Sequence, residues 1–291
     1  MAGTIREIKG RIRAVGNIQR ITKTMQMIST ARFQAMQRRA TSAQAYTRKI
    51  AELVGELAAA SRGEEVTHPL LAPPEPAAGR RLLLVLSSDR GLAGAYNANV
   101  LRRAMRYLGE HGQAGTDVEV VGKKGLGFFR FNEVEVAHHH DEFGDTPEIP
   151  LIHELADRYM EAFASGRYDA IDVAYTAFRS MSRQEVDVAQ LLPLEPPSAE
   201  QGAEPSTQYD YTPDPATLLT ELLPMTVKAK LLQQFNEAVV SEHLARMVAM
   251  KAATDAAAKM QKNLQTQFNR ARQDAITTEL NEIIGGAEAL A

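Results

Sequence analysis

Two stretches carry residue types that could do chemistry. SDRGLAGAYN, residues 88–97, places glycines directly after a short apolar run, where glycine-rich turns can cradle phosphate against a helix N-terminus. Its spacing matches neither G-x-G-x-x-G nor G-x-x-x-x-G-K-[ST], so a tight strand-to-helix turn is the better reading. His138-His139-His140-Asp141 has metal-ligating types in a row. Neighbours on an extended segment point to alternate sides and do not converge on one ion, which makes the run a solvated loop. No Ser/His/Asp arrangement and no carboxylate pair at a usable spacing stands out. The expectation is therefore no catalytic site, no bound metal and no cofactor.

The elements that must position these residues account for most of the chain. From Thr4-Ile5-Arg6-Glu7, a capping-box pattern, apolar residues recur at steps of three and four: Ile5, Ile8, Ile12, Val15, Ile18, Ile21, Met25 and Ile28. The stripe continues more weakly through Phe33, Met36, Ala40, Tyr46, Ile50, Leu53 and Leu57. A seam this narrow suits a coiled coil rather than a globular helix face. Asp214-Pro215 supplies an N-cap and a first-turn proline. A second long helix follows, carrying Leu218, Leu222, Leu231, Phe235, Val239, Met247, Met260, Leu264, Phe268, Ile276, Leu280, Ile283 and Ile284. Pro224 should kink or interrupt it. Beyond that proline it has room for about 60 residues, roughly 90 Å, too long for one globular domain to contain. The two helices are expected to pair as one projecting antiparallel rod.

Between them, 82–86 is a continuously apolar strand, 97–108 a helix, 118–121 a strand ending in GKKGLG, 149–165 a helix, and 170–175 and 186–192 strands. Strands alternating with helices give a small, mostly parallel sheet. The expected organisation is an N-terminal shaft helix over 1–67, a linker over 68–79, and an α/β domain over 80–192. A second linker over 193–213 and a C-terminal shaft helix over 214–291 complete it.

Composition narrows the function classes. The chain of 291 residues has no cysteine and no tryptophan, which excludes disulfides and thiol chemistry. No apolar run approaches the ~18 residues of a membrane span, and the N-terminus lacks a signal-peptide apolar region. The net charge is −3 but unevenly spread. Arg6, Lys9, Arg11, Arg13, Arg20, Lys23, Arg32, Arg38, Arg39, Arg48 and Lys49 stand against the single acid Glu7 within residues 1–50. Such a helix suits nucleic acid, anionic lipid or an acidic protein surface. With only Phe33 and Tyr46 nearby, stacking on single-stranded bases is disfavoured.

ITKTMQMISTAR, SDRGLAGAYN, ARMVAMKAATD and FNRARQDAITTELNEIIGGAEAL together resemble the gamma subunit family of F-type ATP synthases, in family order and over essentially the whole chain. The resemblance implies α/β plus a long antiparallel coiled coil, with the terminal helices paired as a rotating shaft and a small Rossmann-like sheet domain between them. It implies a central-stalk rotor that couples proton- or sodium-driven ring rotation to ATP synthesis in a hexamer of alpha and beta subunits. Further implied partners are the epsilon subunit and the c subunit ring. Nucleic acid is not among them, and the membrane is met only through the ring. Matched residue by residue, Met25, Arg246, Arg272 and Gln273 correspond to contacts with beta. Ile283, Ile284 and Leu290 match the tip in its alpha/beta sleeve, and Tyr209 and Tyr211 the part facing ring and epsilon. The family often has Cys where Ala93 stands, and commonly Asn where Ala256 stands, so any polar contact there is lost. Without an evident transit peptide, the resemblance favours the cytoplasmic face of a bacterial inner membrane. The rival reading is a nucleotide- or metabolite-binding α/β enzyme with helical arms for oligomerisation, which predicts ligand binding at the 87–97 turn.

Overall fold

The computed structural model describes residues 2–60, 68–73, 75, 77–194, 212 and 214–290. Tyr209 and Tyr211 lie outside the described residues. In chain order the elements are α1 (Ala2–Ala60), β1 (Arg81–Leu86), α2 (Tyr96–His111), β2 (Thr116–Val121), α3 (Lys123–Phe131), β3 (His138–His140), α4 (Ile149–Ala164), β4 (Ala170–Phe178), β5 (Gln184–Leu192) and α5 (Pro215–Leu290). They form two compact units, residues 32–245 and residues 1–31 with 246–291.

The larger unit is built on a five-stranded sheet in the order β3-β2-β1-β4-β5. β1 pairs in parallel with β2 and with β4, β2 in parallel with β3, and β5 antiparallel with β4. β1 sits at the centre and is apolar at every position after its first, as a strand buried on both faces must be. Leu83 and Val85 face a core shared with Val100, Leu101 and Ala104 of α2 and Phe129 of α3. Leu82, Leu84 and Leu86 face the opposite core, with Ile152, Leu155 and Phe163 of α4, Ile50, Val54 and Leu57 of α1, and Leu219, Leu223 and Val227 of α5. Within this unit α1 and α5 run antiparallel. Thr47 donates to the Ala229 carbonyl at 3.3 Å, while Leu53 and Leu57 line one groove with Leu218 and Leu222.

Several local expectations need correction. α5 runs through Pro224 without a break. The proline forfeits one helical hydrogen bond and costs about 3 kcal/mol, but Leu219, Leu223 and Val227 around it are all at most 1% exposed. Burial at about 1.5–3 kcal/mol per large side chain outweighs the break. Asp214 does cap α5: its carboxylate accepts from the Thr217 amide at 3.0 Å and from the Thr217 hydroxyl at 2.7 Å. α1 begins at Ala2, so Thr4 lies inside the helix instead of starting it. GKKGLG does not merely end β2 but opens α3, and the histidine run is no solvated loop. It forms the edge strand β3, with His140 only 1% exposed.

In the smaller unit α1 and α5 again run antiparallel. Thr254 donates to the Thr22 hydroxyl at 2.8 Å, a Cβ at Gly16 would lie 3.5 Å from Gln261 Nε2, and Ile12 and Val15 pack with Ala257 and Leu264. The covered seam of α1 runs through Ile5, Ile8, Ile12, Val15, Gln19, Thr22, Gln26 and Ser29, a strict alternation of three and four. The apolar stripe of the sequence parts from this seam after Val15. Steps of three to Ile18 and again to Ile21 fall behind the 3.5-residue repeat that keeps a seam facing its partner. Ile18, Ile21 and Ile28 are accordingly 53%, 59% and 51% exposed, while polar side chains fill the inside. Val15→Ala is therefore expected to lower stability by about 1–2 kcal/mol and Ile18→Ala by less than about 0.5 kcal/mol. Urea denaturation of the two variants separates these outcomes, and equal losses would reject this seam.

Candidate partner interface

Antiparallel pairing places the first residue of α1 opposite about residue 275 of α5, since both helices advance by the same rise. α5 continues to Leu290. Its last four turns thus extend past the N-terminus of α1. On this end Ile276, Leu280, Ile283 and Ile284 are 54%, 55%, 72% and 48% exposed. A helix of about 15 residues is marginal by itself in water, and this one turns an apolar stripe outward. Such a stripe marks a surface made to be covered.

Arg272 and Gln273 stand side by side and exposed where this free end begins. Met25 is half-buried and Arg246 is buried, 7% exposed; they belong to the opposite end of the same unit, roughly 40 Å away along α5. The four candidate contact residues therefore form two groups, one at each end of the paired section. Ile283 and Ile284 lie on the free end. Leu290 is the last residue of α5.

The turn at 87–97 has a different fate from a phosphate cradle. In a doubly wound sheet, ligands sit at the C-terminal strand ends near the point where strand order reverses, here beside β1. The N–H groups that open α3 are already taken at that place. Lys123 donates to Asp89 Oδ1 at 3.1 Å, Lys124 to the Ser88 carbonyl at 3.1 Å, and Gly125 to Ser87 Oγ at 2.9 Å. Asn97 holds Ser88 from the other side, its Oδ1 accepting from the Ser88 amide at 3.0 Å. The cavity that remains is about 30 Å³, room for about one water. Asp89, Asp141, Asp145 and Glu242 are among its lining residues, a charge set that repels phosphate. These contacts oppose the rival enzyme reading at the position it requires.

Two polar clusters escaped sequence reasoning because their members are far apart in the chain. Asp172 of β4 accepts from Arg81 Nη2 at 2.9 Å and from the Tyr107 hydroxyl. Burial and the Asp172 carboxylate push Tyr107 well up from its ordinary value. Arg81 is the first residue of β1, so this cluster lies at the end of the sheet away from the turn and ties strands together. The other centres on His140, whose Nε2 lies 2.7 Å from Glu119 Oε2 and whose Nδ1 lies 3.0 Å from Glu142 Oε1. Among the described residues no group of three or more His, Cys, Asp or Glu side chains could hold a metal ion.

The fold and its surface define a class: an antiparallel pair of long helices with an inserted α/β domain, whose exposed apolar stripes are shaped for other chains. Comparison with known proteins narrows it. A family model described as ATP synthase matches residues 4–290. The ATP synthase gamma chain of Rhodopirellula baltica is 40% identical over 98% of both chains. That of Mycolicibacterium smegmatis is 39% identical over 100% of this chain and 99% of its own. A chain in the OSCP/F1/c-ring structure of Euglena gracilis mitochondrial ATP synthase has the same fold, with a TM-score of 0.67 at 18% identity, covering 100% of this chain and 95% of that one. The chain belongs to the ATP synthase gamma chain family.

Proposed function

We propose that this chain is the central-stalk rotor of a proton- or sodium-translocating F-type ATP synthase. The observation that carries the reading is the free end of α5, which presents Ile276, Leu280, Ile283 and Ile284 to the outside on a chain of this family. An apolar sleeve formed by alpha and beta subunits would cover that stripe and still let it turn, because apolar contact is non-directional. Rotation then presents a different face of the helix pair to each beta subunit and biases its conformational equilibrium in turn. The chain contributes no catalytic group of its own. Ion flow turns a c subunit ring, the ring and epsilon engage the part that includes Tyr209 and Tyr211, and the shaft passes the motion to the hexamer.

Met25, Arg246, Arg272 and Gln273 are assigned to beta, and Ile283, Ile284 and Leu290 to the sleeve. The domain limits at 1–67, 80–192 and 214–291 belong to the same proposal. So does a peripheral location on the cytoplasmic face of a bacterial inner membrane. No helix among the described residues is long and apolar enough to cross a membrane, which agrees with attachment through the ring.

Purification of the complex from its native membrane is the direct test. This chain is expected once for every three beta subunits; equimolar amounts, or copurification without beta, would overturn the assignment. A second expected outcome concerns coupling. By the family resemblance Met25 stands close to an acidic segment of beta, so Met25→Lys would place an ammonium there and add an ion pair that each rotation step must break. A close pair is worth on the order of 1–4 kcal/mol. ATP-driven ion pumping per ATP hydrolysed should fall severalfold, and an unchanged ratio would remove Met25 from the interface.

A further inference from the structure

α2 and α3 cover one face of the sheet and share a core, through Val100, Leu101 and Ala104 of α2 and Phe129 of α3. At about 3.6 residues per turn, the sides turned away from that core carry Arg102 and Arg106 on α2 and Lys123, Lys124, Arg130 and Phe131 on α3, all exposed. The two helices together hold six cations and one acid, Glu110, on a chain whose net charge is −3. Arg103 is paired with Glu110 at 3.5 Å, and Arg102 reaches only the Asn99 side chain. Arg106, Lys123, Lys124 and Arg130 have no ion pair among the described residues. Elsewhere on this unit the chain supplies its exposed arginines with carboxylates: Arg80 with Asp117, Arg158 with Glu142, and Arg179 and Arg183 with Glu185.

The arrangement runs against local preference at several points. Arg102 and Arg106 stand at i,i+4, where like charges destabilise a helix. Lys123 and Lys124 open α3, at the end where the helix dipole favours anions. Phe131 is 86% exposed, and its position is fixed, because α3 ends in a Schellman motif. The Val134 amide donates to the Phe129 carbonyl at 3.0 Å and the Glu133 amide to the Arg130 carbonyl at 3.3 Å. Glu133 takes the left-handed place at φ 56°, which usually falls to glycine, and Val134 is buried in one core with Phe129. Local rules broken together on a rigid element mark a surface whose compensation lies outside the chain.

The cations also converge. α2 and α3 touch, and both start at the C-terminal ends of the strands they follow. By the helical rise, Arg102 and Arg106 lie about 9 and 15 Å from the start of α2, and Arg130 about 10 Å from the start of α3. With neighbouring axes about 8–10 Å apart, the three guanidiniums and Phe131 belong to one patch. Gly127 forms a notch on the same side of α3, with nothing within 4 Å of its Cβ position.

We propose that the outward face of α2 and α3 is a docking site for a short acidic helix of a partner protein. Guanidinium forks meet carboxylates at two points each, Phe131 supplies an apolar anchor, and Gly127 lets the partner's backbone approach. Acids bound the patch: Glu110 near the end of α2, and Glu133 and Glu135 after α3, all exposed. A long polyanion such as nucleic acid, or the continuous surface of an anionic membrane, would run onto these carboxylates. A helix of two to three turns fits between them. The site lies on the α/β domain alone and stands or falls independently of the rotor assignment.

The test uses the full chain and a fluorescent helical peptide of about 14 residues, with glutamates at i,i+4 along one side and leucines beside them. Anisotropy titration at about 50 mM salt, where screening is weak, is expected to show saturable binding. Arg102→Gln, Arg106→Gln and Arg130→Gln together should weaken it at least about tenfold. Phe131→Ala alone should weaken it severalfold, an effect that charge attraction does not produce. α1 is the competing cationic surface, so Arg11→Gln, Arg13→Gln and Arg20→Gln together are the control and should cost less than about twofold. Every substituted side chain is exposed, so the fold is retained. Phosphatidylglycerol vesicles and single-stranded DNA are titrated in the same way. Absence of peptide binding, an equal loss from the α1 substitutions, or indifference to the α2 and α3 substitutions or to Phe131→Ala overturns the proposal. So does tighter binding of vesicles or DNA through the same three arginines.

Discussion

A disulfide that fixes Met27→Cys on the smaller unit to a cysteine placed in a surrounding beta subunit is expected to cut ATP hydrolysis by the assembled complex at least about tenfold, with recovery on reduction. Met27 is 64% exposed, so the substitution leaves the helix seam intact. The chain has no native cysteine, so the introduced thiol has no competitor within it. The magnitude is set by the proposed mechanism. If each beta subunit needs a different face of the shaft to change state, a fixed shaft allows at most one such change, and steady turnover stops. A static scaffold, in contrast, loses nothing when tied to what it already touches. Turnover unchanged by a complete crosslink would reject rotation while leaving family and fold as they are.

Gly122→Ala is expected to have the largest effect on folding. Gly122 has φ 92° and ψ 138°, a region nearly closed to residues with a side chain. A Cβ there would meet the Ser87 carbonyl oxygen at 2.5 Å and the carbonyl carbons of Ser87 and Ser88 at 2.8 Å. These are backbone atoms at the end of the central strand, held by the hydrogen bond that the Ser87 N–H donates to the Val121 carbonyl at 3.0 Å. They cannot yield without shifting β1 against β2. Left-handed strain of about 1–2 kcal/mol and overpacking of about 1–3 kcal/mol act together. The expected loss is about 3 kcal/mol or more, a large part of the roughly 5–15 kcal/mol that stabilises a typical domain. Gly127 is the control. It lies in the same short helix with nothing within 4 Å of its Cβ position, so Gly127→Ala should stabilise by up to about 1 kcal/mol. Equilibrium urea unfolding measures both, and a Gly122→Ala chain within about 1 kcal/mol of the unaltered one would show that this contact is relaxed.

The long helices and the strands β1, β2, β4 and β5 were legible because periodicity and continuous apolar runs are local signals. α3 was hidden by its own glycines: Gly125 and Gly127 disfavour a helix by propensity. Yet a Cβ at Gly125 would come within 2.6 Å of Ser87 Oγ, so close packing demands glycine there. β3 is short, and its pairing with β2 joins residues distant in the chain, such as Glu119 and His138. The shaft seam shows a subtler failure. Apolar types lead along α1 to Ile18 and Ile21, whereas the geometry of a coiled coil selects Gln19 and Thr22. A residue can be apolar because of a neighbouring chain, and one sequence does not say which neighbour. Arg32 and Arg39 illustrate the converse. Both stand in the sequence among cations awaiting an acidic partner, yet the chain itself supplies Asp145 and the Pro147 carbonyl. Met25, Arg246, Arg272 and Gln273 came from motif resemblance alone, since nothing in their spacing distinguishes them from solubilising side chains.

The self-occupied N-terminus of α3 has a consequence for noise. A helix end with open N–H groups beside a glycine turn would sample every phosphate-bearing metabolite that passes, and its conformation would drift with their concentrations. Here Asp89, Ser88 and Ser87 satisfy those groups from within, and α3 is locked to β1 whatever the surrounding solution contains. For a part that transmits motion, such indifference means that this helix end offers phosphate no open N–H groups, so its hold on β1 does not vary with the fuel supply.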